Sequence, residues 1–443
     1  MTFYQHFRKS MALAFPIMLS QFGHILVGVV DSLMVGRLGT EELAAVSLSS
    51  SLFAFVLLFG IGLSYGITPL ISSAKAENKK KSIGAIINNG LFINFLFAVL
   101  LCILLILFKY FLLELDQNPE VLQITFPYLD IISISLIPLM IFQTFRQSIE
   151  GLGFTKQAMI ISVVANILNI ILNYILIFGE LGFPRLEVLG AGYASLISRI
   201  FMAFCIIILF LKNVKFSIYI VELNWFSFRK KILTKILAIG IPSGFQFVFE
   251  VGAFSVATVM VGWFGAEALA AHQIALNLSS VTYMIASGIS ASSMISLGYF
   301  LGEKNFIDLK KSGFVNFFIV IIMMTIFGII FISLREVLPK LYIDNDNVIP
   351  LASSLLIIAG LFQIPDGIQS VGLGVLRGIR DTKVPTFVTL ISYWFIAIPI
   401  SYFLGVIKNY GPVGIWLGLL MGLSLAAIFH LIRFNYITKK FLQ

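Results

Sequence analysis

Four carboxylates fall inside long apolar runs of this chain: Asp31, Asp130, Glu250 and Asp366. A carboxylate at the centre of a membrane helix costs about 2.5 to 3.5 kcal/mol on insertion scales, so it turns toward the protein interior or water and marks an ion or substrate path. The chemistry open to such a group is reversible pairing with a cation or a proton. Asp130 stands only about four residues from the end of its run, where a side chain can reach the interface, and it reads as structural. Asp31 precedes Gly36 by roughly 7 Å of helix, shallow enough for water to reach. Glu250 lies about 18 Å before Gly262 and Asp366 about 16 Å before Arg377 at 1.5 Å per residue, so the two share one depth and can share one site. Asn166, Asn169 and Asn173 recur at helical spacing with Ser162 and so line one face. An amide stripe among Ile and Leu needs partners, either for packing or for a bound ion.

These groups need apolar helices to hold them at depth. Of 443 residues, 59% are hydrophobic and 12% charged, against about 45–50% and about 25% for a soluble domain. A soluble fold is excluded. Spans of roughly 20 apolar residues cross a bilayer, and the chain reads as twelve of them, from 11–35 through 157–178, 236–262 and 348–376 to 412–434. The first run is too long, and holds Asp31, for a cleavable signal. With the amino terminus inside, 22 Lys and Arg face the cytoplasm and six face out, with Arg146 and Arg199 in spans. That asymmetry satisfies the positive-inside rule and puts both termini in the cytoplasm. Lys80, Lys230, Lys310 and Arg380 should be inside, and Thr40, Gln117 and Asn345 outside. The net charge of +9 is thereby a property of loops, and no nucleic-acid partner is implied.

The chain also repeats itself. Met34-Val35-Gly36, Gly39, Glu41 and Leu43-Ala44-Ala45 recur without a gap as Met260-Val261-Gly262, Gly265, Glu267 and Leu269-Ala270-Ala271. The same offset pairs Pro16 with Pro242, Gly62 with Gly288 and Glu77 with Glu303; one residue more pairs Pro138 with Pro365 and Thr155-Lys156 with Thr382-Lys383. Each half holds six spans, so both enter from the same side and the repeats are parallel. The expected organisation is a lobe at 1–212, a cytoplasmic linker at 213–235 and a second lobe at 236–443. The four matched prolines each remove a helical hydrogen bond and predict bends at equivalent places.

The repeated Met-Val-Gly-x-x-Gly-x-Glu-x-Leu-Ala-Ala stretch, preceded by Asp31, resembles the multidrug and toxic compound extrusion (MATE) family, in particular its bacterial NorM branch. Leu376-Arg377-Gly378 with Asp381-Thr382-Lys383, and Asn169 with Asn173, look like further signatures of that family. The resemblance covers essentially the whole chain. It implies an all-α membrane protein of two six-helix lobes in a V shape, a monomer in the cell inner membrane. It also implies antiport, the export of organic cations or drugs in exchange for Na+ or H+ by alternating access, with no further cofactor. Asp31 would sit beside Asn169 and Asn173 in the amino-terminal cavity, and Glu250 and Asp366 would form the cation-coupling site, where Na+ could bind. The NorM tyrosine one turn before that aspartate is Phe362 here, which removes a hydroxyl from the shell. Pro365 in turn leaves the carbonyl of Leu361 without its helical donor.

A flippase for lipid-linked oligosaccharides, of a related plan, would need several cavity Arg or Lys for pyrophosphate; the spans hold only Arg146 and Arg199. A membrane-embedded enzyme lacks any supporting motif, such as His-Glu-x-x-His or a Ser/His constellation. A passive channel does not need paired lobes. Arg146 and Glu150 at i, i+4 read as an ion pair. His24, at the repeat position of Glu250, reads as packing, while His272 and His430 receive no role and Arg199 no explanation. Cys102 and Cys205 lie in apolar runs and form neither a disulfide framework nor a zinc site.

Overall fold

A backbone surrounded by hydrocarbon must satisfy its own hydrogen bonds, and the helix does so within one segment. The computed structural model describes residues 1–114, 118–220 and 228–443. Among the described residues there is no strand, and twelve helices are long and apolar enough to cross a membrane. They are α1 (Phe3–Val35), α2 (Thr40–Ala76), α3 (Lys80–Glu114), α4 (Pro119–Gly151), α5 (Thr155–Phe178) and α6 (Glu187–Lys212) in the first half. The second half has α7 (Lys230–Gly262), α8 (Ala266–Gly302), α9 (Phe306–Ser333), α10 (Val348–Gly378), α11 (Lys383–Ile407) and α12 (Gly411–Leu442). The spans read from hydropathy fall inside these helices to within a residue. Gln117 and the middle of the expected linker, 221–227, lie outside the described residues.

Packing divides the chain into two compact units, residues 19–244 and residues 1–18 with 245–443. The boundaries of these packing units fall within α1 and α7, two residues beyond Pro16 and Pro242. A proline frees a carbonyl and crowds the preceding turn, so the halves of such a helix can pack against different neighbours.

The sequence repeat is legible in backbone contacts within each unit. A Cβ on Gly62 would lie 2.6 Å from the nitrogen of Gly244, and one on Gly288 3.1 Å from the nitrogen of Met18. Gly66 lies against the carbonyl of Ile236, while Ser292 Oγ donates to the carbonyl of Ser10 at 2.9 Å. A Cβ on Gly151 would be 2.9 Å from the carbonyl of Thr68, and one on Gly378 3.1 Å from that of Met294. The turns match too, with left-handed backbone at Asn78 and Lys304 and at Gly153 and Arg380.

The matched prolines differ in effect. Pro16, Pro242 and Pro365 lie inside continuous helices. α4 instead breaks at Ser135 and restarts at Leu136. That puts Pro138 in a first turn, where its missing N–H costs nothing. α11 holds two π-helical turns, Ile391–Ala397 and Phe403–Ile407. Aromatic packing fills the interiors, with Phe142, Phe145, Phe210 and Phe216 in one unit and Phe300, Phe317 and Phe434 in the other.

Candidate functional site

In the unit of residues 19–244, Asn173 Nδ2 on α5 donates to Asp31 Oδ1 on α1 and also reaches Asn169 Oδ1 at 3.1 Å. Asn169 and Asn173 are buried. The i, i+4 spacing that aligned them on α5 thus lets Asn169 hold the amide of Asn173 that Asp31 accepts from. Gly23 lets α1 lie against the stripe, since a Cβ there would be 2.6 Å from Asn166 Nδ2. Asn166 Nδ2, Asn173 Oδ1 and Ser162 Oγ are buried without a hydrogen-bond partner. Of these, Asn173 Oδ1 belongs to the residue that bonds Asp31, and it leaves polar capacity there for water or an ion.

Arg199 finds its surroundings here. Its Nη1 donates to Ser135 Oγ, at the break in α4, and its guanidinium lies 4.7 Å from the centroid of the Phe53 ring. Asp31 and Tyr128 are within electrostatic range. A fixed cation thus stands near the aspartate, which the sequence pattern did not reveal.

Asp130, read as structural, is partly exposed and has an ion-pair partner. Both of its oxygens accept from Lys109 Nζ, at 2.7 and 2.6 Å. The Lys109 side chain is only 10% exposed. Lys109, one of the six basic residues counted on the outer side, is a buried partner, because α3 continues past its apolar run to Glu114. Arg146 Nε and Glu150 Oε1 pair at 2.8 Å, as their spacing indicates, but both are buried.

In the other unit, Glu250 on α7 and Asp366 on α10 are both buried, with Glu250 within electrostatic range of Asp366. Gln369, one turn beyond Asp366, sits beside Glu250. Phe362, one turn before Asp366, is buried edge-on to Phe254, with ring centroids 6.0 Å apart, and its ring lies 6.0 Å from that of Trp416. Residues 362, 366 and 369 occupy one face of α10, as helical geometry requires.

A chain of hydrogen bonds backs this wall. Trp416 Nε1 can only donate, so His272 Nδ1 accepts, at 3.0 Å, and the proton of the neutral ring is on Nε2. Nε2 then donates to Thr258 Oγ1 at 2.9 Å, which donates to the carbonyl of Phe254 at 3.0 Å. His272, given no role from sequence, fixes the ring that packs on Phe362. Arg377 also turns inward, with Nε and Nη2 donating to Gln246 Oε1 at 3.0 and 2.6 Å. Gln246 Nε2 donates in turn to Thr386 Oγ1 at 2.9 Å, tying α7 to the start of α11. Asp381, in the same signature stretch, pairs with Arg433 at 2.7 Å.

Two residue sets read from sequence therefore come together: Asp31 with Asn169 and Asn173, and Glu250 with Asp366 beside Phe362. Their donors are oxygens and amides, the set that suits a hard monovalent cation, a proton or water rather than a soft metal. Among the described residues, no group of three or more His, Cys, Asp or Glu could hold a metal ion.

The MatE family profile matches this chain twice, at residues 16–175 and 242–403. The chain belongs to the MATE family. The two matches reproduce the internal repeat. Among its curated relatives, this MATE chain is 30% identical to the multidrug resistance protein NorM of Photobacterium profundum, over 97% of this chain and 95% of that one. It is 32% identical to the probable multidrug resistance protein NorM of Halalkalibacterium halodurans, over 96% and 93%. The crystal structure of the eukaryotic MATE transporter AtDTX14 superposes with a TM-score of 0.89 at 19% identity, covering 99% of this chain and 98% of that one. The fold is that of the MATE transporters, and the relatives bear the name multidrug resistance protein.

Proposed function

We propose that this MATE protein is a secondary antiporter that exports small organic cations across the cell inner membrane in exchange for Na+ or H+, as a monomer with both termini in the cytoplasm. The observation that carries the ion half of this reading is the convergence of Glu250 and Asp366 in one buried place. Two adjacent acids away from water cannot both stay charged without compensation, so they share a proton or hold a cation. We put Na+ first, because the oxygen-rich surroundings suit it and the relatives carry the NorM name. Asp31 is a second candidate, but Arg199 already offsets part of its charge. We therefore assign coupling to Glu250 and Asp366. Alternating exposure of the two sites would convert ion entry into substrate export.

The flippase reading needs free buried cations for pyrophosphate, yet Arg146 is held by Glu150 and Arg199 stands near Asp31. The deciding experiment loads everted vesicles with Na+, then separately imposes a proton gradient, and follows uptake of a fluorescent organic cation. Glu250→Gln and Asp366→Asn should each remove ion-driven uptake, and the double variant should cost little more than either alone, because the acids act as a unit. Normal uptake by the double variant would end the assignment of coupling to this pair.

A further inference from the structure

The Phe362 ring leaves the Glu250–Asp366 site without a hydroxyl on α10, but α11 brings one from the other side. Tyr393 is 0% exposed, and its Oη has no hydrogen-bond partner. Glu250 Oε2 is likewise buried without one. Both carboxylates lie within electrostatic range of the Tyr393 phenol. Its ring centroid is 6.2 Å from that of Phe254, and it belongs to the same buried cluster as Phe362, Ala253 and Ala257. Ala253 and Ala257 continue the α7 face that carries Glu250.

The adjacent residue fixes this placement. Trp394 Nε1 donates to the carbonyl of Phe249 at 2.9 Å, and its ring sits where a Cβ on Gly252 would lie 2.9 Å away. α11 is thus bonded to α7 immediately beside Glu250. Tyr393 also stands in the π-helical turn Ile391–Ala397. Single π turns inside α-helices are uncommon, strained by their looser hydrogen bonding, and concentrate at functional sites. A buried phenol oxygen without a hydrogen-bond partner costs roughly 1–3 kcal/mol.

We propose that Tyr393 Oη is an oxygen ligand of the coupling cation held by Glu250 and Asp366, taking the place of the hydroxyl that position 362 lacks. This rests on the antiport reading above and deepens it at the same site. The phenol stays protonated and offers a lone pair to the ion, while its hydrogen turns to the carboxylate oxygen that has no donor. Two carboxylates and one neutral hydroxyl make a shell of hard oxygens.

The test uses the purified full chain in detergent. Its melting temperature is measured in NaCl, LiCl, KCl and choline chloride at constant ionic strength, so that only the ion-dependent shift is read. The same variants are assayed for Na+-driven uptake in vesicles. Tyr393→Phe removes only the hydroxyl and should raise the half-saturating Na+ concentration about fivefold or more, the scale of one lost polar contact. Adding Phe362→Tyr to that variant should restore Na+ affinity and shift the preference between Na+ and Li+, which a packing role for Tyr393 would not do. An unchanged Na+ response in Tyr393→Phe, with the wild-type response still dependent on Glu250, would overturn the inference and leave the antiport reading standing. A wild type whose melting and uptake ignore Na+ would overturn both the sodium assignment and this ligand.

Discussion

Asp31 and Asp130 are both aspartates on apolar helices, but amidation removes different things from them. At residue 31 an asparagine keeps the oxygen that accepts from Asn173 Nδ2 and loses only the exchangeable charge. Asp31→Asn should therefore insert and fold near normally while export falls at least about tenfold, the loss of a charge–charge contact; drug accumulation in cells expressing each variant checks this. Silence of this variant would remove Asp31 from transport. Asp130→Asn leaves Lys109 Nζ without the carboxylate that holds it at 2.6 Å. Its cost should lie between the roughly 1 kcal/mol of an exposed pair and the roughly 3–5 kcal/mol of a buried one, read as a lower melting temperature with most transport retained. The amide stripe beside Asp31 was legible from sequence because helical period alone aligns Asn169 and Asn173. Tyr393 was not, because its reach depends on a π turn that no spacing of residue types announces. Lys109 was misplaced because hydropathy ends a span where apolar residues end, while the helix runs on to Glu114.

At the scale of elements, the repeat predicts which close contacts are equivalent but not how tolerant each one is. Gly62 meets backbone on every side, with the Cα and nitrogen of Gly244 and the carbonyl of Ser243 all within 2.7 Å of an added Cβ. Gly288 meets the flexible Met18 side chain first and backbone only at 3.1 Å. Backbone cannot step aside, whereas a methionine can change rotamer. Gly62→Ala should accordingly destabilise by about 1–3 kcal/mol, the range of overpacking, and Gly288→Ala by clearly less. Thermal unfolding of the two purified variants decides this, and equal losses would mean that the paired helices yield alike at both places. The same limit applies to the packing units, whose division within α1 and α7 no residue pattern announces. Matched prolines at 16 and 242 were visible as bends, but the sequence carries no mark of which neighbour each half-helix packs against. Likewise Pro138 read as a bend, whereas the helix simply restarts before it at Leu136.

At the scale of the molecule, the twelve spanning helices among the described residues make an even number, so the termini lie on one side of any membrane these helices span, and charge must say which. Lysine and arginine near helix ends resist translocation during insertion, so the charge count predicts that the side carrying 22 of them stays in the cytoplasm and the side carrying six crosses. Exposed side chains should report this through cysteine labelling with an impermeant reagent in a background lacking Cys102 and Cys205. Lys80, Lys230 and Arg380 are exposed and should label only after the membrane is opened, whereas Thr40 should label in intact cells. Asn345 is a poor probe, because its Oδ1 accepts from the backbone of Asn347 and Val348 at the start of α10. The neighbouring Asp346 is exposed and serves instead. Position 230 is the most informative of these. It begins α7, the first helix of the second repeat, so its side fixes the orientation of that half independently of the first. Labelling of Lys230→Cys from outside, with Lys80→Cys protected, would make the two halves antiparallel, and would contradict both the charge count and the like-sense match of the family profile to 16–175 and 242–403. Protection of both, with Thr40→Cys and Asp346→Cys reactive, leaves parallel halves entered from the cytoplasm, the only orientation in which twelve spans and the 22 basic residues agree.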